Sequence, residues 1–196
     1  MTRRAGWLVM ALALGGCAVA PTVPPPTLQE PASLESWTAS GRLALAANGE
    51  GGSGSFTWQQ QSASTTLSIR GPLGAGAMQV TTDGEYLAVI DADGHELDSE
   101  QSQALIRRRL GADLPLAQLR YWMVGLPAPD SPASVVDAAE SPRRVIEQSG
   151  WRIGYDSFGV AAGVPLPQRF TASLGGVRLK VVVDDWQVEP VSGRGP

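Results

Sequence analysis

Side chains able to do covalent or metal chemistry are scarce in this sequence, and each stands in the wrong company. The one histidine, His95, lies in the run Asp91-Ala92-Asp93-Gly94-His95. A Ser-His-Asp triad could be assembled only through it. The nearest approach to a hydrolase elbow fails, because Ser53 has Gly51 two places before it but Ser55 where glycine is required. With one histidine and one cysteine, the chain has no zinc ligand set of the usual kind. Aligning Asp91, Asp93, Gly94 and Glu100 to a calcium loop puts the first ligand position on Val89, with a strand rather than a helix before it. Gly49-Glu50-Gly51-Gly52-Ser53-Gly54 matches G-x-G-x-x-G, yet a strand pattern follows where phosphate binding needs a helix N-terminus. The sole lysine, Lys180, follows no phosphate-cradling loop. The expectation is a protein that is not an enzyme, with no catalytic residue, cofactor or metal, and that does not consume nucleotide.

The one cysteine, Cys17, points elsewhere. Before it come Arg3 and Arg4 and an apolar run from Trp7 to Leu14, too short to span a bilayer and typical of a secretory signal. The run ends Leu14-Gly15-Gly16-Cys17, which resembles a bacterial lipobox, where cleavage makes the cysteine the lipid-modified N-terminus. A thiol without a disulfide partner is natural in an exported chain if lipid consumes it; an ordinary cleaved signal with an incidental cysteine is the simpler alternative. Ala18 and Val19 follow instead of the acidic residues that retain such proteins at the inner membrane, which favours the outer membrane of a Gram-negative cell. The organisation expected is a signal over residues 1–16, a lipidated cysteine and Pro-rich, polyproline-like tether over 17–33, one domain over 34–190 and a disordered tail over 191–196. The formal net charge is −4, and loss of Arg3 and Arg4 makes it more negative. An acidic domain with one lysine has no footprint for nucleic acid or anionic lipid, so anchoring must come from acyl chains.

The elements that would position any binding residues are mostly strands. Ala39, Gly41, Leu43 and Leu45 share one face with Ser40, Arg42 and Ala44 on the other; Phe56 and Trp58, and Leu67 and Ile69, alternate likewise, and Val177, Leu179, Val181 and Val183 form one face with Arg178, Lys180 and Val182 on the other. Residues 48–54 read as a hairpin loop, Asp93-Gly94 as a tight turn, and residues 128–141 as irregular. Asp98 with Gln101 forms a capping box for a helix ending at Gly111, and Pro115 opens a second that Gly125 stops. About ten short strands with one helical insertion predict a mainly β, α+β protein: an antiparallel sheet curled into an incomplete barrel, with short helices over its mouth or concave face. A closed lipocalin-like barrel is the alternative.

Several segments line up in order: Leu14-Gly15-Gly16-Cys17, residues 41–45 (GRLAL), 56–60 (FTWQQ), 71–80 (GPLGAGAMQV), 112–127 (ADLPLAQLRYWMVGLP), 150–158 (GWRIGYDSF) and 177–186 (VRLKVVVDDW). Together they resemble the LolB family of outer-membrane lipoprotein receptors, across about Leu34 to Val188. The resemblance implies an incomplete antiparallel β-barrel around a hydrophobic cavity, with helices as its lid. It implies a monomer that takes acylated lipoprotein cargo from a periplasmic LolA-like carrier and inserts it into the outer membrane without ATP. Candidate wall residues for the acyl-chain cavity are Leu43, Leu45, Phe56, Trp58, Leu67, Ile69, Met78, Val80, Trp122, Trp151, Ile153, Leu179 and Trp186. Each could equally be plain core, since sequence does not say which side of a curled sheet is concave. In the family, the loop carrying Pro72, Leu73 and Gly74 is where a leucine pushes cargo into the bilayer; the alternative is a leucine folded under its own turn. Asp83, Glu85, Asp91 and Glu96 could face a basic carrier, and Arg42 belongs to a solvated strand face or to carrier or lid contacts. A lipidated scaffold of outer-membrane assembly is the competing function.

Overall fold

The computed structural model describes residues 30–47, 49–72, 76–110 and 115–189. Their strands form one sheet: β1 (Ser36–Ala47), β2 (Glu50–Gln61), β3 (Ser64–Arg70), β4 (Met78–Thr82), β5 (Leu87–Ile90), β6 (Glu96–Leu97), β7 (Ala133–Asp137), β8 (Arg144–Gln148), β9 (Trp151–Ala161), β10 (Val164–Leu174) and β11 (Val177–Val188). The order is β6-β5-β4-β3-β2-β1-β11-β10-β9-β8-β7, antiparallel throughout. Every neighbouring pair is a sequence-local hairpin except β1 with β11, which joins the two halves. The rims β6 and β7 do not pair with each other, so the sheet is an incomplete barrel and not a closed one. Helices α1 (Ser99–Leu110) and α2 (Leu116–Met123) lie in the chain between those two rims.

Two features differ from the sequence expectation. The glycine-rich stretch read as a loop is strand, since β2 begins at Glu50 and pairs from there with β1. Its lack of side chains hides the alternation that identifies a strand. Within residues 128–141, β7 forms although all five of its residues are exposed; a rim strand with no buried face gives no period-two signal.

The helices end where local chemistry stops them. The Asp98 carboxylate accepts the Gln101 N–H at 2.9 Å while the Gln101 side chain accepts the Asp98 N–H at 3.2 Å, the reciprocal capping box. Beyond α2, Gly125 takes φ +81°, and a Cβ there would press on Phe158 and Pro167 at 3.1 and 3.2 Å. An eight-residue helix is only about 12 Å long. Yet α2 brings Arg120 within 3.5 Å of Ser62 O at the β2–β3 turn and bonds Trp122 to Gln148 of β8. Five strand spacings of about 4.8 Å separate β2 from β8 on a flat sheet, so the sheet curls around the helix.

Between β1 and β11 a bulge leaves Asp184 as an extra residue opposite Ser40 and Gly41. A Cβ on Gly41 would lie 2.1 Å from Val182 O, which is why the tight approach has a glycine. On the outer face Arg42 donates to both carboxylate oxygens of Asp184 at 2.8 and 3.0 Å. Both groups are solvated, so this pair fixes the local register and adds little stability.

Candidate functional site

Register and burial define one inner face, and rows of side chains run across it. One row reads Val89, Val80, Leu67, Trp58, Ala39, Trp186, and the next Met78, Ile69, Phe56, Gly41, Val183. Below these come Gly54, Leu43, Val181, Phe170, Tyr155 and then Gly52, Leu45, Leu179, Ala172, Ile153, Ile146. The described wall candidates all belong to this face or to the helix lying on it. Phe56, Trp58, Leu67, Val80, Trp122, Trp151 and Ile153 are buried, whereas Leu43, Leu45, Ile69, Met78, Leu179 and Trp186 are only partly covered. Pro72 is exposed. Leu73, Gly74 and Cys17 lie outside the described residues.

Burial is graded along the rows. On β8, β9 and β10 the inner face is sealed: Ile146, Ile153, Tyr155 and Leu166 are at 0% exposure. The seal is α2 and the chain after it. Gln148, itself buried, accepts Trp122 Nε1–H and the Ala128 N–H at 2.9 Å each and donates to Ala128 O and Ser131 O at 2.8 Å. The Tyr155 hydroxyl donates to Trp122 O at 2.8 Å, and its burial pushes the phenol pKa strongly upward, so it stays a neutral donor. Arg144 completes the clamp by donating to Gly125 O at 3.1 Å while bonded to Asp137, whose carboxyl the guanidinium holds below its ordinary range.

Toward β2 the rows open. Leu43, Leu45 and Leu179 are half-buried, Gly54 is partly covered and Gly52 is exposed. A Cβ on Gly52 would meet no atom within 4 Å, although its cross-strand partner Leu45 points to the same side. The apolar surface here has space beside it. At the other end of the face Trp37 stacks on Trp58 with centroids 5.9 Å apart and meets Trp186 edge-on at 5.3 Å, closing the interior with aromatic mass.

The two clefts that stand out among the described residues lie at the margins of this face. One of about 350 Å³ runs between α1 and the β4–β5 turn, lined by Tyr86, Gln103 and Ile106 among others. The second, about 410 Å³, flanks the β8–β9 turn. The one group of described residues with metal-ligand chemistry is Asp91, Asp93 and His95, whose ligand atoms lie within 4.8 Å of one another. The Asp91 carboxylate is already the acceptor for the His95 and Asp93 N–H groups at 2.9 and 3.0 Å, and those bonds, the one from His95 foremost, lower its pKa. The cluster is a hydrogen-bonded turn.

Sequence reasoning overlooked Trp37, Gln148, Tyr155 and Phe170 as residues of this face. Tyr155 shares the alternation of Trp151 and Ile153, and Gln148 that of Ile146, so the period-two pattern carried the signal. A polar side chain simply does not suggest a buried place.

Comparison with known proteins follows the same outline. A family profile described as outer membrane lipoprotein LolB matches residues 35–186. The outer-membrane lipoprotein LolB of Stutzerimonas stutzeri is 33% identical over 156 residues, 80% of this chain and 76% of that protein. That of Halorhodospira halophila is 32% identical over 189 residues, covering 91% and 92%. Among solved structures, a DUF1329 family protein from Desulfovibrio piger has a TM-score of 0.54 at 7% identity, over 82% of this chain and 88% of that one, a likeness of fold.

Proposed function

The chain belongs to the LolB family of outer-membrane lipoproteins, and from that premise we propose that it is an outer-membrane receptor in lipoprotein localisation, taking acyl chains onto the open part of its inner face. Cargo with about forty methylenes, at about 0.8 kcal/mol each, would need on the order of 30 kcal/mol to enter water. Free diffusion across the periplasm is therefore closed to it. A receptor must offer a surface more favourable than the carrier and less favourable than the bilayer, and that calls for adaptable apolar walls with space beside them.

The observation that carries this reading is the gradient across the inner face: Leu43, Leu45, Leu179, Ile69 and Met78 are half-covered while the opposite side is sealed. Cys17 supplies the anchor, a LolA-like carrier supplies the cargo, and the protein works as a monomer without ATP. Leu73, flanked by Pro72 and Gly74, acts after acceptance by touching the bilayer as cargo leaves. Burying one leucine is worth about 1.5 to 3 kcal/mol, enough to bias orientation and too little to anchor a domain.

The test loads a purified carrier with labelled lipoprotein and adds a form of this chain that cannot be acylated at Cys17. Cargo should pass to it; no transfer at any concentration sinks the receptor reading. In the acylated protein, Leu73→Glu should leave acceptance intact and abolish delivery to vesicles. A second reading, a lipidated scaffold, draws on the aromatic filling of the interior by Trp37, Trp58 and Trp122. It forecasts no cargo transfer.

A further inference from the structure

The pole of the barrel opposite the β1–β2 turn holds the start of β1, the end of β11 and the β9–β10 turn. Across that turn residues 157–168 carry no charged side chain. Val160, at 65% exposure, is the most exposed large apolar residue among those described. A single exposed valine needs no explanation. Its surroundings set this one apart. The chain enters the domain through a short 3-10 turn, Pro31–Ser33, that packs against β10, so the tether arrives at the strand that carries the uncharged tip.

We propose that the β9–β10 tip is a bilayer-resting surface, placing Val160 against the phospholipid headgroup region while the half-covered apolar patch at the opposite pole faces the periplasm. This rests on the outer-membrane anchoring in the functional reading above. The tether makes both orientations possible. Residues 17–29 extend to about 45 Å at most, and the 12 residues of β1 span about 40 Å. The anchor therefore lets this pole rest on the membrane and is still long enough for the domain to turn over and present the opposite pole, where β3 ends and β4 begins. An uncharged tip makes the contact insensitive to salt and to lipid charge.

The test uses the full-length, acylated chain in phosphatidylethanolamine/phosphatidylglycerol vesicles, labelled with an environment-sensitive dye at Val160→Cys or, at the opposite pole, at Arg178→Cys. Both positions are exposed, so neither change disturbs packing. Lipid-borne quencher should suppress the label at 160 at least threefold more than the label at 178, unchanged between low and high salt. Equal quenching at the two positions overturns the proposal. So does a label at 160 that is quenched only by added carrier, which would make the tip a protein contact. A chain that fails to stay with the vesicles at all overturns the anchoring reading and this one with it.

Discussion

The same strand rows end in two different kinds of surface. On β9 and β10 the inner face is sealed under α2, with Tyr155, Ile153 and Leu166 at 0% exposure. On β1 and β2, a few strands away, Leu43 and Leu45 face Gly54 and Gly52 and keep only partial cover. Composition does not separate them, since both are apolar. Polar anchoring does: the sealed side has Gln148, Tyr155 and Arg144 tying the helix and its trailing chain to the sheet, and the open side has none of these. Among the described residues α2 is tied to β8 and β9 and reaches β2 at the β2–β3 turn, while Leu43 and Leu45 stay half-covered, apolar area open to a ligand.

This contrast can be broken most severely on the sealed side. Gln148→Leu strands the Trp122 indole N–H, the Ala128 N–H and O and the Ser131 carbonyl. At about 1 to 3 kcal/mol for each buried group left unpaired, loss on the order of 3 kcal/mol or more should appear in urea denaturation. A stability close to that of the original protein would mean the clamp is decorative. The open side should respond in the opposite sense. Gly52→Trp projects into empty space, so stability should stay within about 0.5 kcal/mol while the rate of cargo acceptance from a loaded carrier falls about tenfold. Ser53→Trp, on the outer face of the same strand, is the matched control, and equal losses in both would erase the distinction between the faces.

The smallest expected effect is on pH. Hydrogen bonds from Arg144 lower the folded-state pKa of Asp137, and those from Arg42 lower that of Asp184. A depressed carboxylate contributes stability that is present above the unfolded value of about 3.9 and is lost as pH falls through the folded value. Acid unfolding monitored by tryptophan fluorescence should therefore begin below about pH 4. Asp137→Asn, which loosens the α2 clamp, should flatten that acid limb slightly, and Asp184→Asn should do so without touching α2.

Much of this was readable in the sequence because alternation is a physical requirement of a half-buried strand. Leu43 with Leu45, Phe56 with Trp58, and Val177 through Val183 declare their shared face by their spacing alone. The capping box at Asp98 and Gln101 and the stop at Gly125 were equally plain. What escaped was structure without a side-chain signature: glycine-rich β2, and β7 with no buried face. The clamp escaped too, since hydrogen bonds among Gln148, Trp122 and Ala128 depend on how the sheet curls. No local pattern records that a helix will cross from the β2–β3 turn to β8.

An unclosed sheet keeps two free rims, and here both are poor templates. β6 offers two residues, and β7 offers five, introduced by Pro132 and finished by Asp137 held to Arg144. For a protein drifting in three dimensions such bluntness guards mainly against rare encounters. Copies tied to one leaflet are confined to a plane, where neighbours collide side by side far more often and an inviting rim would zip them into ribbons. Rims this short would give crowded neighbours little edge to pair with.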